Sequence, residues 1–191
     1  DRWMSDHLQA DEGESALNAT KDNSLRPNAL IAIALDVVEG SIAQRTVLAA
    51  KEHLIVPGAI RTLAPLPTEL PLEVRAADGK LLNDPLNPYW GTYLGDEDTR
   101  RKPAYHNGTA WCWLFPIFCE ALAKAWGGDP EAVRTAKSYL LSTESLLNEG
   151  CLGHLPEIMD GDAPHNQRGC DAQAWSVSEV LRVWNLLKRY E

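Results

Sequence analysis

The run TAWCWLFPIFCEALAKAW, residues 109–126, decides the reading of the fold. It contains the longest mostly apolar segment of the chain, Ala110 to Cys119. Written on a helix it is apolar almost all round, so the helix must be buried on more than one side. Thr109 or Asn107 can cap its start, and Pro116 falls early enough to kink rather than break it. Gly127-Gly128 ends it. Downstream, Asp129 caps and Pro130 starts a second helix, expected to reach about Asn148. There Val133, Ala136, Leu140 and Leu147 form one stripe against Arg134, Lys137, Ser138 and Glu144, so that helix faces water on one side.

The same pairing occurs upstream. Pro27 opens a helix over Asn28 to Val38 that is apolar nearly all round, and Gly40 stops it. Ile42 to Val56 follows with a polar side formed by Gln44, Arg45, Lys51 and Glu52. A last helix is expected over Ala172 to Tyr190, with Val177, Val180, Leu181, Trp184 and Leu187 at three-to-four spacing. Helices buried all round that alternate with one-sided helices predict an all-α chain, a two-layer toroid or solenoid rather than a four-helix bundle.

Between these helices the chain is irregular. Ala59 to Leu66 reads as extended. From there to Pro103 prolines and glycines recur, with Leu70–Val74 and Leu81-Leu82 able to pair across Ala77 to Lys80. Cys151 to Gly169 is a second Gly/Pro-rich loop. Residues 1–25 form a poorly defined N-terminal segment, with a short helix around Trp3, Met4 and Leu8 and turns over Asp11–Ser15 and Ala19–Ser24. The remainder, 26–191, reads as one unit. The chain begins at Asp1 rather than Met, which reads as a processed chain or a piece of a longer one.

Composition narrows the function. The 191 residues are 45% hydrophobic and 24% charged, the balance of a globular protein. A formal net charge of −9 argues against a nucleic-acid binder, which needs clustered Lys and Arg. The apolar run is about half the roughly 20 residues that span a bilayer, so no membrane partner is expected. Without a visible signal peptide, the default location is cytoplasmic. Cys112, Cys119, Cys151 and Cys170 lack metal-site spacing and read as reduced core or pocket residues. Asp160-Gly161-Asp162 lacks the later bidentate Glu of a calcium loop, so no metal and no cofactor is expected.

Two polar and aromatic clusters remain. One is Tyr105, His106, Asn107, Trp111 and Trp113. The other is Glu157, Asp160, Asp162, His165, Arg168, Gln173 and Trp175. Flat aromatic faces cover the C–H faces of a sugar ring while Asp, Gln, His and Arg bond its hydroxyls, and an acidic group can transfer a proton at a glycosidic bond. Each residue also has a plainer reading. Trp111 and Trp113 suit core packing as well as stacking, His106 suits a helix start, and Glu157 suits a solvated or capping carboxylate.

Four stretches resemble the C-terminal glucosidase domain of glycogen debranching enzymes (amylo-alpha-1,6-glucosidase). They are Arg26-Pro27-Asn28-Ala29-Leu30, Arg61-Thr62-Leu63, Tyr105 to Trp111, and Glu157 to Gly161 continued by Pro164-His165, Gly169-Cys170 and Ala172 to Ser176. The resemblance implies about half of an (α/α)6 toroid related to glucoamylases, with 26–191 as the C-terminal part of the domain. It implies hydrolysis of α-1,6-linked glucose at branch stubs of glycogen or a branched α-glucan oligosaccharide, with inversion. Glu157 matches the general base, and the general acid is expected upstream of Asp1. Arg61, Tyr105, His106, Asn107, Trp111, Gln173 and Trp175 match the sugar pocket, with Asn107 standing where the family carries a longer Gln. Half a toroid would leave apolar helix faces open, so self-association is also expected. Two other functions fit the same clusters: a non-catalytic carbohydrate-binding or scaffold module, and another toroid enzyme such as a sugar epimerase.

Overall fold

The computed structural model describes residues 2–190. Its centre is helix α4, Leu114–Ala125, with eleven of its twelve residues buried. Four helices surround it: α1 (Asn28–Ala34), α2 (Gly40–His53), α5 (Pro130–Leu141) and α6 (Ala174–Leu187). A short α3, Lys102–Tyr105, continues a π-helical turn over Glu97–Arg101. The apolar circumference of the 109–126 run is thus explained by neighbours on every side. Phe115 and Phe118 stack at 6.3 Å, and Tyr139 of α5 meets Phe118 edge-on at 5.4 Å. Asp129 accepts from the Glu131 and Ala132 amides, and Pro130 opens α5 as the sequence predicts. Glu120, the one acid of α4, is buried and paired with Lys124 at 3.2 Å and Arg182 at 2.7 Å. Among the described residues no helix is long and apolar enough to cross a membrane.

The expectation of an all-α chain, half of an (α/α)6 toroid, does not hold. Among the described residues six α-helices are accompanied by two antiparallel sheets, so the fold is mixed α and β. A two-stranded sheet joins β1 (His7–Gln9) to β2 (Thr20–Asp22), where a short helix and a turn were expected. A five-stranded meander runs in sequence order through β3 (Ile55–Val56), β4 (Ala59–Arg61), β5 (Ala110–Trp111), β6 (Ile158–Met159) and β7 (Gln167–Arg168). Strands of two or three residues cannot show a period-two pattern, so Ile55-Val56 and Ala110-Trp111 merge into the neighbouring helical runs when read from sequence. The β6 and β7 residues lie inside a stretch punctuated by Gly and Pro.

Helix lengths also shift. The expected 28–38 helix stops at Ala34, because Asp36 adopts a left-handed backbone (φ 58°). There its carboxylate meets Lys124 at 2.8 Å. Leu35 and Val37 are consequently exposed rather than buried. The expected 130–148 helix is α-helical only to Leu141 and continues as a 3-10 segment, Ser142–Asn148. The hairpin across 77–80 forms, with Arg75 bridged to Leu81 and the Leu82 amide donating to the Val74 carbonyl at 2.8 Å.

Candidate active site

The meander gathers the two polar clusters. Ala110 and Trp111 of β5 pair with Met159 and Ile158 of β6, so Glu157 enters the sheet beside Trp111. Tyr105 closes α3, and the turn after it is tied back to that helix. The Asn107 and Thr109 amides and the Thr109 hydroxyl all donate to the Ala104 carbonyl, at 3.1, 3.2 and 2.9 Å. That turn delivers the Tyr105 hydroxyl to Glu157 Oε1 at 2.5 Å. The Cys170 amide donates to Glu157 Oε2 at 3.0 Å. Both oxygens of Glu157 therefore act as acceptors, and its side chain is half-buried. Burial, and then donation to Glu157, push the Tyr105 hydroxyl well above the usual tyrosine range.

Gly169 makes this approach possible. Its φ is +69°, and a Cβ there would stand 2.5 Å from Glu157 Oε2 and 3.0 Å from Ile158 Cγ1. A second glycine crossing lies at Gly108 and Gly161, three residues after Tyr105 and four after Glu157 in sequence. A Cβ on Gly161 would fall 2.1 Å from the Gly108 carbonyl oxygen, and one on Gly108 would fall 2.6 Å from the Trp90 carbonyl. The backbone passes directly across itself at this point.

The aromatic rings form a continuous arc. Tyr93 lies 5.5 Å from Tyr105, and Tyr105 meets Trp111 edge-on at 4.8 Å. Trp111 lies 6.0 Å from Trp175, which stacks on Trp113 at 5.5 Å. His106 stacks on Trp111 at 5.8 Å. Trp111 is 6% exposed and Trp175 44%, so one ring is wall and the other is surface. The partial burial of His106, together with the Arg26 charge, holds its imidazole below the ordinary histidine range.

Of the residues singled out from sequence, Glu157, Tyr105, His106, Trp111 and Trp175 come together on this arc. Gln173 stands next to it as the residue before α6, its amide donating to the Leu155 carbonyl at 2.9 Å. Asn107 and Arg61 face inward. The Asn107 amide nitrogen donates to the Pro103 carbonyl at 2.8 Å, and its oxygen accepts from Arg26 at 3.1 Å. Arg61 donates to the Gly161 carbonyl at 2.9 Å and the His53 carbonyl at 3.1 Å. Asp160 is 2% exposed and takes two bonds from Arg168 on one oxygen, at 2.9 and 3.1 Å. Asp162 accepts from Tyr89 at 2.9 Å and Thr92 at 3.2 Å.

Sequence reasoning missed Tyr93, Gly169 and the Cys170 amide as members of the site. A backbone donor has no residue signature, and only the place of Gly169-Cys170 in the stretch that resembles the family pointed towards it. All four cysteines are free, and burial raises the Cys112 thiol to about 12.

The chain belongs to the amylo-alpha-1,6-glucosidase family, the C-terminal glucosidase domain of debranching enzyme: the family model matches residues 80–182, more than half of the 191 residues. That span includes Tyr105, Trp111, Glu157, Gly169, Cys170 and Trp175. No curated protein matches the chain.

Proposed function

We propose that this member of the family supplies the general base and one wall of the sugar pocket of an inverting α-1,6-glucosidase acting on branch stubs of glycogen or a branched α-glucan. The reading rests on one observation. Glu157 is a carboxylate held between a phenol and a backbone amide, at the edge of an arc of five aromatic rings. Two fixed donors orient such a group without removing all of its acceptor capacity, so it can still take a proton from water.

In this reading the water is activated on the face of the sugar opposite the leaving oxygen. Trp175 and Trp113 offer stacking faces, Trp111 backs them, and His106 and Gln173 bond hydroxyls. Asn107 and Arg61 act indirectly by fixing the turns that carry Tyr105 and Gly161. An inverting pair needs a second carboxyl roughly 6.5–9.5 Å from the first, to protonate the leaving oxygen. Asp160 and Asp162 are poor choices, since their partners hold them in the scaffold. The family resemblance assigns the acid to chain upstream of Asp1.

The test is glucose release from isomaltose and from phosphorylase-trimmed glycogen by the complete enzyme and its Glu157→Gln variant. Glutamine keeps the shape and cannot accept the proton, so turnover is expected to fall about 100-fold or more while sugar affinity changes little. Near-normal turnover in that variant would remove Glu157 from the chemistry. Binding without any glucose release by the wild type would favour the carbohydrate-binding reading.

A further inference from the structure

Strand β6 is two residues long, with Glu157 at its entry and Asp160 at its exit. Its register against β7, Ile158 to Arg168 and Met159 to Gln167, fixes both ends together. Asp160 is 2% exposed, and a carboxylate that deep is costly unless its oxygens are paired. Both are paired, and they serve different parts of the chain. Oδ2 accepts from Arg168 Nε and Nη2 at 3.1 and 2.9 Å and from the Asn166 side-chain amide at 3.4 Å, all within the β6–β7 hairpin. Oδ1 reaches out of the hairpin and accepts from the Tyr93 backbone amide at 2.8 Å.

Tyr93 needs such an anchor. Between β4 and the π-helical turn at Glu97 the described residues contain no helix, and the isolated bridge of Arg75 to Leu81 lies well before Tyr93. No local element therefore positions residues 89–93. Their hydrogen bonds run chiefly to the turn 160–162. The Gly161 amide donates to the Gly91 carbonyl at 2.6 Å, and the Asp162 carboxylate accepts from the Tyr89 and Thr92 hydroxyls. Asp162 is exposed, so water competes for its two donors. The bond from buried Asp160 to Tyr93 is the better protected one.

From Tyr93 the path to Glu157 is short. Its ring lies 5.5 Å from that of Tyr105, whose hydroxyl donates to Glu157 Oε1 at 2.5 Å. Tyr105 ends the four-residue α3, a helix too short to hold a side chain in place unaided. Burial first, with Glu157 among the further causes, pushes both phenols above the usual tyrosine range, so both rings stand near that carboxylate. Without the Asp160 oxygen the Tyr93 amide is unpaired and its segment can shift. Tyr105 then loses the ring that packs beside it.

We propose that Asp160 is a positioning residue, a role that rests on the reading of Glu157 as general base: it seats Tyr93 against Tyr105 and so keeps the Tyr105 hydroxyl on Glu157. The base and its remote anchor are thus carried by one short strand.

The test measures kcat and KM on isomaltose with the complete enzyme. Asp160→Ala is expected to lower kcat about 100-fold while KM changes less than about threefold, because a reacting group displaced by about 1 Å loses rate rather than affinity. Asp160→Asn keeps an oxygen for the Tyr93 amide and is expected to recover about tenfold of that loss. Tyr93→Ala leaves residue 160 intact and removes the ring, so it is expected to match Asp160→Ala. With Asp160→Asn it decides the matter if circular dichroism shows Asp160→Ala unfolded. In a Tyr105→Phe background each change is expected to cost less than about threefold in kcat, since the hydroxyl through which it acts is gone. A purely structural role would leave the cost unchanged there. Hydrogen exchange of the Cys170 amide, which donates to Glu157 Oε2, reads the same effect without turnover. Asp160→Ala is expected to speed it about tenfold or more while the amides of α4 keep their protection. Near-normal turnover in Glu157→Gln would sink the base reading alone, and the exchange result would still judge Asp160. Near-normal kcat in Asp160→Ala, an equal cost in the Tyr105→Phe background, or unchanged exchange at Cys170 would each overturn the proposal.

Discussion

Replacing Gly169 by alanine puts the carboxylate cradle under direct strain. Two costs can be separated. The residue sits at φ +69°, where an L side chain loses about 1–2 kcal/mol. The new Cβ also stands 2.5 Å from Glu157 Oε2, 3.0 Å from Ile158 Cγ1 and 3.3 Å from Glu157 Cβ, an overpacking of about 1–3 kcal/mol. The expected destabilisation is about 2–5 kcal/mol in urea or thermal unfolding of the chain. Gly79 provides the control. Its φ is +86° and nothing lies within 4 Å of its would-be Cβ, so Gly79→Ala carries the backbone cost alone. The difference between the two variants measures the pressure on Glu157. In a Glu157→Ala background most of that difference should vanish, because the crowded oxygen is gone. Equal costs for Gly169→Ala and Gly79→Ala would refute the idea that Gly169 is there to let Glu157 reach the Cys170 amide.

Three further outcomes are expected. Asn107→Ala removes a buried amide satisfied at both ends, and is expected to cost about 2–3 kcal/mol in denaturant unfolding, far more than a surface asparagine. The raised Tyr105 hydroxyl means that the unfolded chain loses its proton first. Stability is therefore whole below the ordinary tyrosine value near 10 and falls as pH rises above it, and a pH series on Tyr105→Phe should show a shallower alkaline loss. The depressed His106 imidazole acts at the other end. The unfolded chain takes a proton that the folded chain resists, so stability falls as pH drops through about 6.5, and His106→Gln should flatten that slope in thermal melts.

The legible parts of the fold were those with a long period or a distinctive stop. α4 and the start of α5 were readable because an all-round apolar run, two glycines and an Asp-Pro cap leave few alternatives. The meander was not, since each strand holds two or three residues and is defined by partners far along the chain. At the site, Tyr105, Trp111, Glu157 and Trp175 were named from residue type and from the family resemblance. The inward roles of Asn107 and Arg61 were not, because an amide or a guanidinium looks the same in sequence whether it meets a ligand or a carbonyl. Asp36 illustrates the same limit, as its left-handed turn comes with a contact to Lys124 in another helix.

The meander also has a consequence for how the chain comes to be folded. Arg61 and Gly161, bonded across the sheet, are 100 positions apart, and Tyr105 and Glu157 are 52 apart. None of these contacts can be made by a local segment, so loop-closure entropy must be met before any of them stabilises the chain. During synthesis the cradle around Glu157 therefore cannot exist until Gly169 and Cys170 have left the ribosome. A chain truncated ahead of them would keep α1, α2 and α4 in sequence yet lose the cradle entirely. Glu157 would then lack the Cys170 amide, and the ring arc would lack Trp175.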